Sequence, residues 1–165
     1  MNKLLTLEAA KNFGGIRVFT NGVFDILHVG HVRYLQAARA LGDCLIVGLN
    51  SDASARALKG EGHPIVPQDE RAELLAALAC VDYIVLYDGV TAERVVDALK
   101  PEVYVKGGDY SVEGTQGTLG EISGNRVPPE ARIVLGYGGR VEFMPFVVGK
   151  STTNIIAEIL NRHAR

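Results

Sequence analysis

Short apolar runs recur along this chain, largely apolar at consecutive residues rather than at alternate ones. Ile16 to Thr20, Cys44 to Leu49, Tyr83 to Leu86, Val103 to Val105 and Val141 to Phe146 each read as a strand covered on both faces. Segments with helical spacing lie between them. Val32, Leu35, Ala38 and Leu41 stripe a helix over Gly30 to Leu41 that stops at Gly42, and Leu74, Leu75 and Leu78 mark one over Asp69 to Ala79. Ala92 to Leu99 is a third, broken by Pro101, and Ile155, Ile156, Ile159 and Leu160 stripe a C-terminal helix. This alternation predicts an α/β fold: a five-stranded parallel sheet with helices on both faces.

Most of the predicted strands end in polar or glycine-rich clusters: Thr20-Asn21-Gly22, Asn50-Ser51-Asp52, Lys106-Gly107-Gly108-Asp109 and Gly149-Lys150-Ser151-Thr152-Thr153. Ligands of open α/β sheets bind just outside the carboxyl ends of the strands, so these clusters mark the expected site. Glycine makes up 19 of 165 residues, and Gly22, Gly30, Gly107, Gly108 and Gly149 fall where backbone would approach such a ligand closely. Between Asn50-Ser51-Asp52 and the helix from Asp69, the chain reads as a polar loop containing Lys59-Gly60-Glu61-Gly62. Ser111 to Gly139, with four glycines up to Gly124 and then Pro128 and Pro129, reads as a glycine/proline-rich insertion: a mobile lid, a dimer contact or a disordered stretch. The expectation is one domain spanning residues 1–165, with 111–139 inserted in it.

The charge balance narrows the partners. With 17 Lys+Arg against 19 Asp+Glu, the net charge is -2, which argues against nucleic acid held on a broad basic surface and leaves small phosphorylated ligands open. Cys44 and Cys80 lie in apolar contexts without zinc or C-x-x-C spacing, which reads as reduced thiols in a cytoplasmic protein. Met1 to Phe13 lacks a signal-peptide apolar stretch, and no apolar run reaches 18 residues, so neither secretion nor a membrane span is expected.

His28-Val29-Gly30-His31 stands between the first strand and the first long helix. Backbone amides and the helix dipole favour an anion there. With no side chain at Gly30, a phosphate can come near the backbone while both imidazoles donate to its oxygens, an arrangement suited to a phosphorus centre that gains charge in its transition state. Read otherwise, the two histidines are satisfied structural groups, or Asp25, His28 and His31 ligate zinc in a hydrolase, although no further ligand pair follows. Gly149-Lys150-Ser151 imitates the end of a phosphate-binding P-loop, but the first glycine of that motif would fall on Met144. Ser151 is then either an N-cap or, with Lys150, Thr152 and Thr153, part of a second phosphate cradle.

Thr20-Asn21-Gly22-Val23-Phe24-Asp25 followed by H-x-G-H resembles the cytidylyltransferase-like nucleotidyltransferases, which implies a Rossmann-like nucleotidyltransferase fold. The runs RYLQAARALGD (33–43), LIVGLNSD (45–52), LKGEGHPI (58–65), RAELLAAL (71–78), VKGGDY (105–110) and STTNII (151–156) are similar to the adenylyltransferase domain of the bacterial heptose kinase/adenylyltransferase family. The likeness covers nearly the whole chain outside Ser111 to Gly139. It implies a reaction in which D-glycero-β-D-manno-heptose 1-phosphate and ATP, with Mg²⁺, give ADP-heptose and pyrophosphate. It also implies a cytoplasmic homodimer and, since the kinase domain would not fit in this chain, a separate heptose kinase. Carried over by residue, His28 and His31 bind the nucleotide phosphates and stabilise the transition state, and Lys59 neutralises phosphate charge from a loop able to close. Val23 and Phe24 set their backbone against the nucleotide, together with Thr20, Asn21, Gly22, Gly30, Gly107 and Gly149. Arg71 reaches the phosphates or pairs with Glu70 or Glu73. Asp109 helps fix the ribose or base, and Ser151, Thr152 and Thr153 give hydroxyls and amides to the triphosphate.

Two other functions remain open on the sequence. One keeps the chemistry and changes the partners to CTP and glycerol 3-phosphate or another polyol phosphate; that branch carries an Arg before S-T-T where this chain has Phe146 and Val147. The other is a nucleotide-binding module without catalysis.

Overall fold

The computed structural model describes residues 3–107, 128–145, 147 and 149–163. Among these the elements run β1 (Leu4–Leu5), α1 (Leu7–Ala10), β2 (Arg17–Gly22), α2 (Val29–Arg39), β3 (Cys44–Asn50), α3 (Asp52–Lys59) and α4 (Gln68–Ala77). They continue as β4 (Tyr83–Tyr87), α5 (Glu93–Leu99), β5 (Val103–Gly107), α6 (Pro129–Gly136), β6 (Arg140–Met144) and α7 (Thr152–His163). The strands form one sheet in the order β1-β4-β3-β2-β5-β6, with every pairing parallel.

Alternate strand residues feed two hydrophobic layers. Val18, Leu45, Val47, Ile84, Val103 and Val105 meet Leu35 and Ala38 of α2 and Ala72 and Leu75 of α4 on one face. Phe19, Ile46, Val85 and Tyr104 meet Ala10 of α1, Val95, Val96 and Leu99 of α5, and Ala131 and Val134 of α6 on the other. All seven residues of β3 are buried, which is why its sequence reads as one continuous apolar run. The α/β, Rossmann-like architecture agrees with the sequence. The strand count does not, because six strands are present where five were expected: Leu4–Leu5 is an edge strand of two residues, pairing Leu4 with Ile84 and Leu5 with Val85, and too short to show a pattern.

Two helices replace stretches read as irregular. The segment after β3 is α3, started by the Ser51 side chain, which accepts from the Ser54 amide, and ended at Gly60 with φ 91°. Its small residues Ala53, Ser54 and Ala55 left little apolar stripe to read. Lys59 is therefore the last residue of a helix and not part of a loop. Pro129–Gly136 of the glycine/proline-rich segment is α6, which buries Ala131 and Val134 against the sheet and leads into β6. By contrast, α7 has no buried residue among those described, and Ile159 and Leu160 of its apolar stripe are exposed. Both cysteines are free thiols, Cys44 buried and Cys80 half-buried, and burial raises the pKa of each. No helix among the described residues is long and apolar enough to cross a membrane.

The sheet order makes β2 the starting point for excursions in both directions: the chain goes to β3 and β4 on one side, then crosses to β5 and β6 on the other. The crevice outside the carboxyl ends of β2 and β5 is thus a topological switch point, where α/β sheets bind ligands.

Candidate active site

A cavity of about 560 Å³ opens at that crevice, walled by the loop after β2, the start of α2, the end of β5 and the start of α7. Its lining brings together most of the residues singled out in the sequence: Asn21, Gly22, Val23, Phe24, His28, Gly30 and His31 from one stretch, Lys59, Gly107, and Gly149, Ser151, Thr152 and Thr153 from the far end of the chain. Asp109 lies outside the described residues.

The first wall is set by the β2–α2 loop. Phe24 takes a left-handed φ of 49°, a strained conformation for a bulky residue and one that concentrates at functional sites. Its ring is buried against the α2/α4 layer and meets the edge of His31, with centroids 5.3 Å apart. His28 is the N-cap of α2, its Nδ1 accepting from the Gly30 amide at 3.1 Å. That bond assigns the neutral-state proton of His28 to Nε2. The rings of His28 and His31 stack with centroids 3.9 Å apart and planes 24° apart. A Cβ on Gly30 would lie 2.8 Å from His28 Cε1, so the glycine makes room first for the His28 ring.

Both imidazoles are disposed to be neutral. Burial, then His28, then Lys59 lower the pKa of His31 to about 4, and burial and Lys150 lower that of His28. Nδ1 of His31 is buried without a hydrogen-bond partner among the described residues.

The second wall is the start of α7. Gly149 turns the chain with φ 73°, and the Asn154 amide donates to Ser151 Oγ at 3.0 Å, so Ser151 does cap the helix. Lys150 stands against the first wall, its Cβ 3.4 Å from where a Gly30 Cβ would be. Asn154, which the sequence did not single out, also lines the cavity.

Two predicted ligand contacts are placed elsewhere. Thr20 is fully buried, and its Oγ1 shares a 2.6 Å hydrogen bond with the Tyr34 hydroxyl, which donates to the Val105 carbonyl. Arg71 reaches neither the cavity nor Glu70 or Glu73: it is fully buried, and its guanidinium donates to the carbonyls of Val66, Val23 and Asn50 and to Asp52 Oδ1. Every side of the group is thereby occupied by the chain itself, and Arg71 supports the Val23 backbone from beneath.

Asp25 is similarly committed. Its Oδ1 accepts from the Ile65 and Val66 amides at 2.8 and 2.9 Å, and its Oδ2 lies 3.0 Å from His63 Nδ1. Burial pushes its carboxyl up, but the Val66 amide, His63 and the Ile65 amide together outweigh that and hold it below the ordinary range. Among the described residues no three His, Cys, Asp or Glu side chains are grouped to hold a metal ion. A zinc site on Asp25, His28 and His31 is therefore not formed.

Lys106 was legible only as part of a strand-end cluster. It lines the cavity from β5, and its Nζ donates to Asn21 Oδ1 at 3.3 Å. Asn21 also accepts from the Tyr104 hydroxyl at 2.9 Å and donates to Tyr87, which donates to Asn50, so a buried polar chain runs beneath the crevice. Lys59, Lys106 and Lys150 stand on the cavity's walls, and its one described carboxylate is tied up by amides and His63, so the described lining is electrostatically suited to an anion.

The chain belongs to the cytidylyltransferase-like family, whose model matches residues 19–157. Within it, the chain is 52% identical over 163 residues to the bifunctional protein HldE of Trichlorobacter lovleyi, covering 99% of this chain and 30% of that protein. It is 47% identical over 159 residues to HldE of Pseudomonas aeruginosa, covering 96% of this chain and 31% of the other. The chain thus spans about 30% of the length of these curated relatives. The crystal structure of a lipopolysaccharide core biosynthesis protein from Thermoplasma volcanium is similar with a TM-score of 0.58 and 29% identity, covering 81% of this chain and 98% of that one. Pantothenate synthetase from Thermus thermophilus shares the fold at a TM-score of 0.55 and 16% identity, covering 97% of this chain and 72% of that one.

Proposed function

We propose that the chain is an adenylyltransferase that moves AMP from ATP to D-glycero-β-D-manno-heptose 1-phosphate, giving ADP-heptose and pyrophosphate. The observation that carries this reading is the stacked His28–His31 pair facing Lys150 and the α7 start across one cavity, in a chain whose likeness to bifunctional HldE proteins extends over nearly its full length. The relative described as a lipopolysaccharide core biosynthesis protein is matched along 98% of its length, which supports a sugar-phosphate acceptor.

In this reaction an acceptor phosphate oxygen bonds to the α-phosphorus of ATP while the bond from that phosphorus to the bridging β-phosphate oxygen breaks, and pyrophosphate carries the electron pair away. No covalent enzyme intermediate is required, so the protein's work is positioning and charge stabilisation. His28 Nε2–H and the His31 ring would donate to phosphate oxygens, Lys59 and Lys150 would offset the triphosphate charge, and the α7 amides would bind its terminal part. Val23 and Phe24, held by Arg71 from below, would set the nucleotide's depth.

The family's chemistry uses Mg²⁺, but the described residues do not fit a protein-held magnesium site, since the cavity's one described carboxylate, Asp25, is spent on amides and His63. The ion is best read as arriving on the substrate, as Mg·ATP, held by phosphate oxygens and water. Homodimerisation, a heptose kinase activity that supplies the 1-phosphate, and a cytoplasmic location belong to the same proposal. The deciding experiment is pyrophosphate release over a matrix of nucleoside triphosphates and phosphorylated acceptors. ATP with heptose 1-phosphate should give the highest kcat/KM; CTP with glycerol 3-phosphate as the best pair, or nucleotide binding with no turnover at all, defeats the reading.

A further inference from the structure

The cations of the cavity fall into two groups, separated by the sheet itself. His31 rests on Phe24, a member of the layer under α2 and α4. Lys150 stands with the histidines, its Cβ 3.4 Å from where a Gly30 Cβ would be, and Lys59, at the end of α3, lines the cavity and acts on His31. Lys106 belongs to the other side. It follows Tyr104 by two residues on β5, as Asn21 follows Phe19 on β2, and Tyr104 and Phe19 both face the layer under α1, α5 and α6. Its bond to Asn21 and the influence of Glu130 of α6 agree with that placement.

Lys106 is also poorly compensated. Its ammonium has three protons to donate, and its hydrogen bond among the described residues is the 3.3 Å contact to Asn21 Oδ1. Glu130, the carboxylate nearest in influence, already accepts from the Ala92 amide at 2.7 Å. Burial lowers the Lys106 pKa and Glu130 opposes it only in part. A half-buried cation with donors to spare at the rim of an anion cavity is completed by an anionic ligand.

We propose that Lys106 binds the phosphate of the acceptor, opposite the histidine and lysine group that binds the triphosphate; this rests on the adenylyl-transfer reading. In-line displacement places the attacking and leaving oxygens on opposite sides of the α-phosphorus, and two groups of cations on opposite sides of the sheet edge meet that demand. Lys106 thereby selects acceptors that present a phosphate to the β5 side of the crevice.

The test separates this assignment from the function. The enzyme is saturated with α,β-methylene-ATP, which cannot transfer AMP, and inorganic phosphate is titrated in by calorimetry. Lys106→Gln removes the charge while keeping a donor for Asn21, and Lys106→Met removes both. Both variants should lose about tenfold or more in phosphate affinity, the scale of a charged hydrogen bond, with the affinity for α,β-methylene-ATP changed by less than about twofold. Lys106→Arg should recover most of the loss. In turnover, the KM for heptose 1-phosphate should rise and that for ATP stay. Equal weakening of phosphate and nucleotide, unchanged phosphate affinity in a variant with a wild-type melting transition, or no phosphate binding by the wild type would each overturn the role of Lys106. Because the calorimetry needs no chemistry, failure of the wild type to release pyrophosphate counts against the function alone.

Discussion

The carbonyl of Val23 accepts a 2.6 Å hydrogen bond from the fully buried guanidinium of Arg71. Through this bond a helix on one face of the sheet fixes the backbone of the loop that floors the cavity. Arg71→Met should therefore strand the Asp52 carboxylate and three carbonyls. A loss of about 3 kcal/mol, the scale of buried carbonyls left without a donor, is expected in denaturant titrations, with a higher KM for ATP in the fraction that folds. A loss below about 1 kcal/mol would show that solvent replaces the guanidinium.

Gly30→Ala separates the site from the fold. Alanine is the better helix former by roughly 0.5–1 kcal/mol, yet its Cβ would stand 2.8 Å from His28 Cε1. The expected variant melts at or near the wild-type temperature and loses at least about tenfold in kcat, because the ring that must move is the one proposed to donate to the phosphates. Normal turnover would mean that the stacked geometry is dispensable.

Acid should weaken the fold through two residues that act in the same direction. The folded pKa of His31 is about 4, below the ordinary 6.5, so between those values the unfolded chain binds a proton that the folded chain does not. Stability falls as pH drops across that window and is insensitive to His31 above it. The carboxyl of Asp25 is held below 3.8 in the folded chain, so its contribution, present above the unfolded pKa, is lost as pH falls through the folded value. Denaturation followed across this range should show a shallower decline between 6.5 and 4 for His31→Gln, and an unchanged slope would show that burial does not set its protonation.

At the start of α7, Gly149→Ala would force a side chain into the left-handed region at φ 73°, and Ser151→Ala would remove the acceptor of the Asn154 amide. Each should cost about 1 kcal/mol locally. No described residue of α7 is buried, so the cost should appear as faster amide exchange in the first turn of the helix rather than in global melting.

What the sequence revealed follows from how locally each feature is encoded. The strands buried on both faces were legible because their apolar residues are consecutive, and the histidine pair because its two members and its glycine lie within four residues. Leu4–Leu5 was not legible, since a two-residue edge strand exists only by pairing with β4. Arg71 was misjudged because exposed Glu70 and Glu73 flank it, and a buried arginine on a helix is defined by carbonyls 5 to 48 positions away. Lys106 was passed over for a related reason: its partner Asn21 stands 85 positions earlier in the chain, and only the β2–β5 pairing brings them together.

The imidazoles of His28 and His31 stand 3.9 Å apart, a separation at which two positive rings repel strongly unless negative charge lies beside them. Proton uptake by the pair is therefore conditional on the ligand. A neutral molecule entering the cavity leaves both rings as uncharged donors, whereas a polyphosphate can serve as the counter-ion that lets one of them charge. On the proposed function, the stack would therefore respond to the charge of what enters, gaining a second charge-assisted donor only beside a molecule that supplies the counter-charge.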